Sequence, residues 1–374
     1  MREFEYFLFE NFDADAQANN PLNPRNFLNK DADAILSEIA RHPAGTCSYQ
    51  NLCNQFGEYT VHRMMEGGIL RPSGMGLSYD CPIFLQEDAA VLHREIASKA
   101  AALTNLLESG MKQIETCCSK IDNGFSIEQN LYHILCGRVF DGDFFEYLCG
   151  KGVLATSRQH PSGLDYLNVI YEKCGDLQAL SDGLLCSYNR LVNHQCSLQS
   201  FGDAQGNRLD FYRLFRLMEQ GNVPAKFKEA EALVRKAYGG TDKDALLNDV
   251  VTLIRTGQCA PAAMALLERL GYVQNGIICV PVFVPKYQDH IRQTEKIVES
   301  CLGDAMSDTL LKLAGSIDIT AVRHGVNRLE IANELYHILF GSMNEELVAR
   351  KIVAAPAYIP SEGRYQKCMV LYES

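Results

Sequence analysis

The chain carries none of the short signatures that announce an enzyme. There is no Gly-x-Ser-x-Gly elbow, no His-Glu-x-x-His helix, no Gly-x-x-x-x-Gly-Lys phosphate loop and no Rossmann glycine pattern after a strand. Each of those chemistries needs fixed residue types at fixed spacing, so the expectation is a non-enzymatic protein with no cofactor. Long apolar runs are also lacking. None approaches the ~20 residues of a membrane span, and Glu3, Glu5 and Glu10 interrupt the opening segment too often for a signal-peptide core. These features lead to the expectation of a cytoplasmic protein with no membrane partner. Positive charge is in deficit, with 35 Lys and Arg against 46 Asp and Glu and a formal charge of −11. A nucleic-acid backbone therefore meets no overall attraction, and any contact with it has to be local. The fourteen cysteines contain no Cys-x-x-Cys pair, and Cys174, Cys186, His194 and Cys196 are spaced too irregularly for a zinc pattern. They read as reduced thiols packing like small hydrophobes, with no metal site.

What the chain does have is a repeat. Leu131-Tyr132-His133-Ile134-Leu135-Cys136-Gly137 returns as Leu335-Tyr336-His337-Ile338-Leu339-Phe340-Gly341, an offset of 204. Neighbouring pieces recur in the same order. Gly68-Ile69-Leu70 faces Gly271-Tyr272-Val273, Cys81-Pro82-Ile83-Phe84 faces Val280-Pro281-Val282-Phe283, Pro161-Ser162 faces Pro360-Ser361, and Ile170-Tyr171-Glu172 faces Leu371-Tyr372-Glu373. A tandem duplication fits 374 residues, long enough for about two to three domains.

Along the chain, the aromatic run Phe4 to Phe9 and the turn-rich Asn19 to Pro24 form an N-terminal arm, 1–33. A module at 34–92 then reads as a helix with Ile35, Leu36 and Ile39 on one face, a short helix from Tyr49 to Phe56, a break at Gly57, a helix from Tyr59 to Glu66, and a hairpin turning at Pro72-Ser73-Gly74. Residues 93–175 follow as the remainder of a long amphipathic helix from Ala89 to Ser119, in one piece or joined at Gly110, plus a helix-helix-hairpin module. The pattern at 176–240 reads as a helical connector. The second copy occupies 241–286, where Asn275-Gly276 is a strong two-residue hairpin turn, and 287–374 repeat the long helix and final module. On an α-helix His133 projects opposite Leu131, Ile134 and Leu135, which predicts a solvated or interface histidine. The fold class is mainly α with small β-hairpins (α+β).

Helix, helix, helix, hairpin, with Gly67-Gly68-Ile69-Leu70 stepping into the hairpin, resembles the winged helix-turn-helix superfamily. The resemblance covers 35–84 in the first copy and implies tandem winged-helix modules in which the third helix enters the DNA major groove and the wing touches backbone. It implies DNA contacts at Tyr59, Thr60, His62, Arg63 and Arg71. Between Ile35 and Phe84, however, Arg41, Arg63 and Arg71 face Glu38, Glu58, Glu66 and Asp80. In the second copy the equivalent helix, Ala260 to Leu267, has no base-reading side chain, which suggests a protein partner there. A basic stretch, Gln205 to Gly240, sets Arg208, Arg213, Arg216, Lys226, Lys228, Arg235 and Lys236 against Asp210, Glu219, Glu229 and Glu231. Two readings stand at this point. One is a DNA-binding transcriptional regulator whose two halves form an internal pseudo-dimer. The other is an interaction scaffold that keeps the shape without binding DNA.

Overall fold

The structure is a computed structural model that describes residues 2–10, 28, 30–157, 164–203 and 207–372; the expected turns at Asn19 to Pro24 and at Pro161 to Gly163 lie outside them. The class is mixed α+β. Strand β1 (Phe4–Glu10) opens the chain, so the N-terminal aromatic run is a strand. Helices α1 (Lys30–Ile39), α2 (Tyr49–Phe56) and α3 (Glu58–Glu66) follow. Ser48 accepts from the Asn51 N–H to start α2, and Gly57, at φ 88°, makes the corner between α2 and α3 that a side chain would resist. Next come the hairpin β2 (Leu70–Ser73) and β3 (Gly76–Tyr79), the two-residue strand β4 (Ile83–Phe84), and α4 (Ala89–Cys118), unbroken through Gly110.

Beyond it lie α5 (Ile127–Leu131), a π-helix over Tyr132–Asp143, α6 (Phe144–Gly150), β5 (Tyr166–Glu172) and α7 (Gly175–Ser181). The expected helical connector contains two eight-residue strands, β6 (Leu185–Val192) and β7 (Cys196–Asp203). Helices α8 (Phe211–Glu219), α9 (Lys228–Tyr238), α10 (Lys243–Thr256) and α11 (Pro261–Arg269) lead to the hairpin β8 (Val273–Gln274) and β9 (Ile277–Ile278). Its corner residues Asn275 and Gly276 both have positive φ, as the sequence pair predicts. Strand β10 (Val282–Phe283), helices α12 (Gln288–Ser316), α13 (Thr320–Arg323) and α14 (Arg328–Ala349), and strands β11 (Tyr358–Ile359) and β12 (Gly363–Leu371) complete the chain.

These elements assemble into two compact units, and neither unit is one copy of the repeat. The first takes residues 1–103, 146–182 and 303–340, and the second takes 104–145, 183–302 and 341–374. The first copy's Leu131–Gly137 segment therefore belongs to the second unit, and most of Leu335–Gly341 belongs to the first.

Each unit is built on the same short sheet. In the first, β5 lies between β1, antiparallel, and β4, parallel; in the second, β12 lies between β7, antiparallel, and β10, parallel. The Ile170 N–H donates to the Pro82 carbonyl and the Met369 N–H to the Pro281 carbonyl, both at 2.9 Å. This register aligns Ile170 with Met369, an offset of 199, and so corrects the sequence match of Ile170 with Leu371 by two residues. It also makes β1 the counterpart of β7. Strand β6 extends the second sheet beyond β7. Strand β5 is not the return arm of a hairpin from Val153-Leu154, which lie outside any strand.

In the first unit Tyr79 anchors the hairpin to α1, its hydroxyl donating to the Leu36 carbonyl at 2.8 Å. Tyr171 stacks on Phe84 with ring centres 4.7 Å apart. In the second unit the π-helix lays Tyr132 on Phe201, rings 5.4 Å apart, and at Gly137 an added Cβ would press on the Phe201 ring at 3.2 Å. Phe201, wholly buried on β7, joins the sheet to the π-helix. Phe201→Ala is expected to destabilise the protein by about 3–5 kcal/mol, read as a lowered midpoint in urea unfolding; an unchanged midpoint would show that this contact carries no weight.

Candidate functional site

The reading surface expected on the first copy is built by α3. Val61 and Met64 are buried and fix the helix, leaving Tyr59 and His62 exposed and Thr60 half-buried. Glu66 meets two side chains of the helix, with His62 Nε2 at 3.3 Å and Arg63 Nη1 at 3.2 Å. Arg63 keeps only 14% of its side chain in solvent. Arg71 sits apart, on β2, where its Nη2 donates to the carbonyls of His324, at 2.7 Å, and Gly325, at 3.0 Å. Its Nε lies 3.2 Å from Asp80. The structure thus brings Tyr59, Thr60, His62 and Arg63 together on one helix and ties Arg71 into the fold. In the other copy Pro261 opens α11, as expected of a first-turn proline.

Both hairpins present an apolar side chain to solvent. Met75, between β2 and β3, is 93% exposed, and Ile277, at the start of β9, is 72% exposed; Tyr59 on α3 is 78% exposed. Met75 and Ile277 carry no signal in the sequence, because a lone apolar residue in a turn forms no pattern, whereas Tyr59 is expected at the surface of α3.

The seven cations of the basic stretch do not share one surface. Arg208 is fully buried, its guanidinium donating to the Ser187 and Ser200 carbonyls at 2.9 and 3.3 Å. Lys226 donates to the Asn207 carbonyl, and Lys228 and Arg235 both donate to Glu231 at 2.9 Å. Lys236 is exposed. Arg213 and Arg216 line a cleft of about 280 Å³ with Asn189, Tyr212 and Leu217.

The first of the repeated histidines is not solvated. His133 is buried, and its Nε2 has no hydrogen-bond partner among the described residues. It borders a cavity of about 10 Å³ with Ile134, Arg138, Gln199 and Phe283, room for roughly one water molecule. The outward projection expected for it assumed 3.6 residues per turn, whereas the π-helix winds its backbone differently and buries Tyr132 through Gly137. His337, on a regular α-helix, is half-buried, its Nδ1 2.9 Å from the Asn333 carbonyl.

Burial pushes His133 down to about 3 and His337 down to about 4. It pushes the Glu334 carboxyl of the first unit up to about 7, and with help from Asp143 raises Glu295 of the second unit to about 7. Among the described residues no group of three His, Cys, Asp or Glu side chains is placed to hold a metal. No single described helix is long and apolar enough to cross a membrane. Comparison with protein-family models, with curated proteins and with solved structures gives no match to this chain.

Two outcomes follow from this geometry. Arg71→Ala is expected to cost about 1–3 kcal/mol in urea unfolding, since it removes charged hydrogen bonds to two carbonyls. Arg41→Ala, which loses an exposed pair with Glu38, is expected to cost no more than about 1 kcal/mol. Equal costs would contradict the placement of Arg71.

For His133, the unfolded chain protonates near 6.5 and the folded one near 3, so the folded state binds fewer protons between these values. Its stabilising contribution is complete above about 6.5 and is withdrawn as pH falls toward the folded value. The two raised carboxyls act oppositely: their contribution is present at low pH and lost as pH rises through about 7. The histidine is isolated by comparing unfolding of the wild type and His133→Leu at pH 7, 6 and 5. The difference should shift steadily in favour of the variant as pH falls; a constant difference would refute the assignment.

Proposed function

We propose that the protein is a non-enzymatic interaction scaffold whose two winged-helix-like modules, α1–α3 with β2–β3 and α9–α11 with β8–β9, meet a protein partner through their hairpin tips. One observation carries this reading: the arginines of the expected reading surface, Arg63 and Arg71, are paired within the fold while both hairpins expose an apolar side chain, Met75 and Ile277. A phosphate backbone needs several uncommitted cations. Arg63 and His62 share Glu66, and Arg71 is taken by two carbonyls and Asp80. Large exposed apolar side chains are, by contrast, the anchors that protein interfaces bury. The overall acidic charge points the same way.

The competing reading is a DNA-binding regulator acting through Tyr59, Thr60, His62, Arg63 and Arg71. It draws support from the exposure of Tyr59 and His62 on α3. The two separate in a mobility-shift titration with random genomic fragments at low and physiological salt. The scaffold reading predicts no shift at either. A shift that weakens as salt rises, and weakens further in Arg63→Ala, would reject it in favour of DNA binding. The positive arm places a photo-crosslinking residue at 75 and, separately, at 277. The same protein should be captured at both tips, and replacing Met75 and Ile277 by Ser should abolish its binding.

A further inference from the structure

The first sheet has an open edge that its counterpart in the second unit lacks. Strand β7 is paired on both sides, with β12 and with β6, whereas β1 is paired with β5 alone among the described residues. The Lys173 N–H donates to the Glu3 carbonyl at 2.8 Å, which fixes the phase of the β1–β5 ladder. In an antiparallel pair the bonded positions alternate, so Glu5 and Phe7 turn their backbone groups toward β5, and Phe4, Tyr6 and Leu8 turn theirs outward. At the start of this outer edge the Arg2 N–H donates to Ser37 Oγ at 3.0 Å, and α1 closes the edge there. At Phe4, Tyr6 and Leu8 no described residue meets the outward N–H and C=O groups.

An open edge is a template for another strand, and proteins blunt such edges with Pro, Lys or a bulge. Strand β1 has none of these. Phe4-Glu5-Tyr6-Phe7-Leu8-Phe9-Glu10 contains no Pro or Lys, and its pairing with β5 runs without a register shift. Glu5 to Leu8 are half-buried, while β5 beside them is buried at every position. The strand also complements itself. Laid antiparallel on a second β1 over its full length, it is centred on Phe7, with Tyr6 opposite Leu8, Glu5 opposite Phe9 and Phe4 opposite Glu10. In that register outward-facing residues meet only outward-facing ones, as a bonded antiparallel ladder requires. No glutamate stands opposite a glutamate, whereas a pairing centred on Glu5 would oppose Glu5 to itself. The two Phe7 residues meet as a non-hydrogen-bonded pair, where cross-strand contacts are closest. Phe7 already packs edge-on against Tyr171, with ring centres 5.8 Å apart, so the contact would extend an existing aromatic row.

We propose that β1 is a self-association edge: two copies of the chain pair their β1 strands antiparallel about a two-fold axis, joining two three-stranded sheets into one. In the second unit β6 already holds the place that the partner's strand takes here. A two-fold contact uses the same patch on both copies, so one strand supplies both sides of it. Main-chain donors and acceptors give the attraction, and the alternating side chains give the register. A single strand pair is smaller than a standard interface, so the dimer is reversible and forms in the micromolar range. The edge carries none of the hairpin-tip residues, and the inference does not rest on the scaffold reading.

The test is sedimentation velocity of the full chain, in reducing buffer, over a concentration series through the micromolar range. The wild type should pass from monomer to dimer as concentration rises. Leu8→Pro removes an outward N–H and no bond of the β1–β5 ladder, a change that edge strands tolerate. It should weaken the dimer by roughly tenfold or more, since a symmetric contact loses the bond twice, with an unchanged thermal melt. Should that variant fail to fold, Leu8→Lys, which charges the edge, gives the same comparison. Oxidation reads the register separately. Phe7→Cys should form a disulfide between the two position-7 residues, located by mass spectrometry against the native cysteines, and Glu5→Cys should form none with its own copy. Three results would overturn the proposal: a monomer at every concentration, a dimer unweakened by the position-8 variants, or crosslinking at position 5 and not at position 7. None of them bears on the hairpin tips, so this edge and the scaffold reading stand or fall separately.

Discussion

The arrangement depends on one hydrogen-bonded pairing made twice. A two-residue strand lies parallel to the strand that ends its copy, joined through Pro82 to Ile170 in one unit and Pro281 to Met369 in the other. Parallel neighbours cannot be connected by a tight turn and need a crossover. Here the crossover is long, running through α4, α5 and the π-helix in the first copy and through α12, α13 and α14 in the second. Each leaves its own unit and contributes a helix to the other before returning. The repeated Leu-Tyr-His-Ile-Leu segments lie within the parts assigned to the other unit.

The two sheets differ around this shared arrangement. The second adds β6 beyond β7 and the capped helix α8 beside it, and with them Arg208, Arg213 and Arg216. What looked in the sequence like a continuous basic stretch is resolved by the fold into an interior arginine, a set of surface pairs and one cationic cleft. The first copy keeps a plainer sheet, and its arginine on the hairpin is spent on holding the turn at His324 and Gly325. Arg208 and Arg71 are thus committed to holding the fold together.

Much of the local structure was legible. The bounds of α2, the corner at Gly57 and the turn at Asn275-Gly276 follow from residue chemistry that acts over a few positions. The repeat of Leu131–Gly137 as Leu335–Gly341 was legible from residue order alone, although most of the first lies in a π-helix and the second in an α-helix. Three features were hidden, each for a physical reason. The strands β6 and β7 lie where charged and apolar residues mix without helical spacing, and β7 is buried along its whole length, so it has no solvent face to produce alternation. The register of the last strand was misread by two residues because a two-residue slip keeps every side chain on the same face. The burial of His133 escaped because the backbone there departs from the period on which facing arguments rest. The cleft could not be anticipated at all, since Asn189 joins Arg213 and Arg216 only through the packing of β6 against α8.

The exchange of helices also bears on how such a chain can form on the ribosome. A unit assembled from residues 1–103, 146–182 and 303–340 cannot be completed when its first strands emerge. At a synthesis rate of about 5–20 residues per second, its first sheet waits on the order of ten seconds for its last helix. During that interval the aromatic edge of β1 and the apolar sides of β5 lack part of their cover. The nascent first unit therefore stays incomplete for longer than a unit made from one continuous stretch of the same size would.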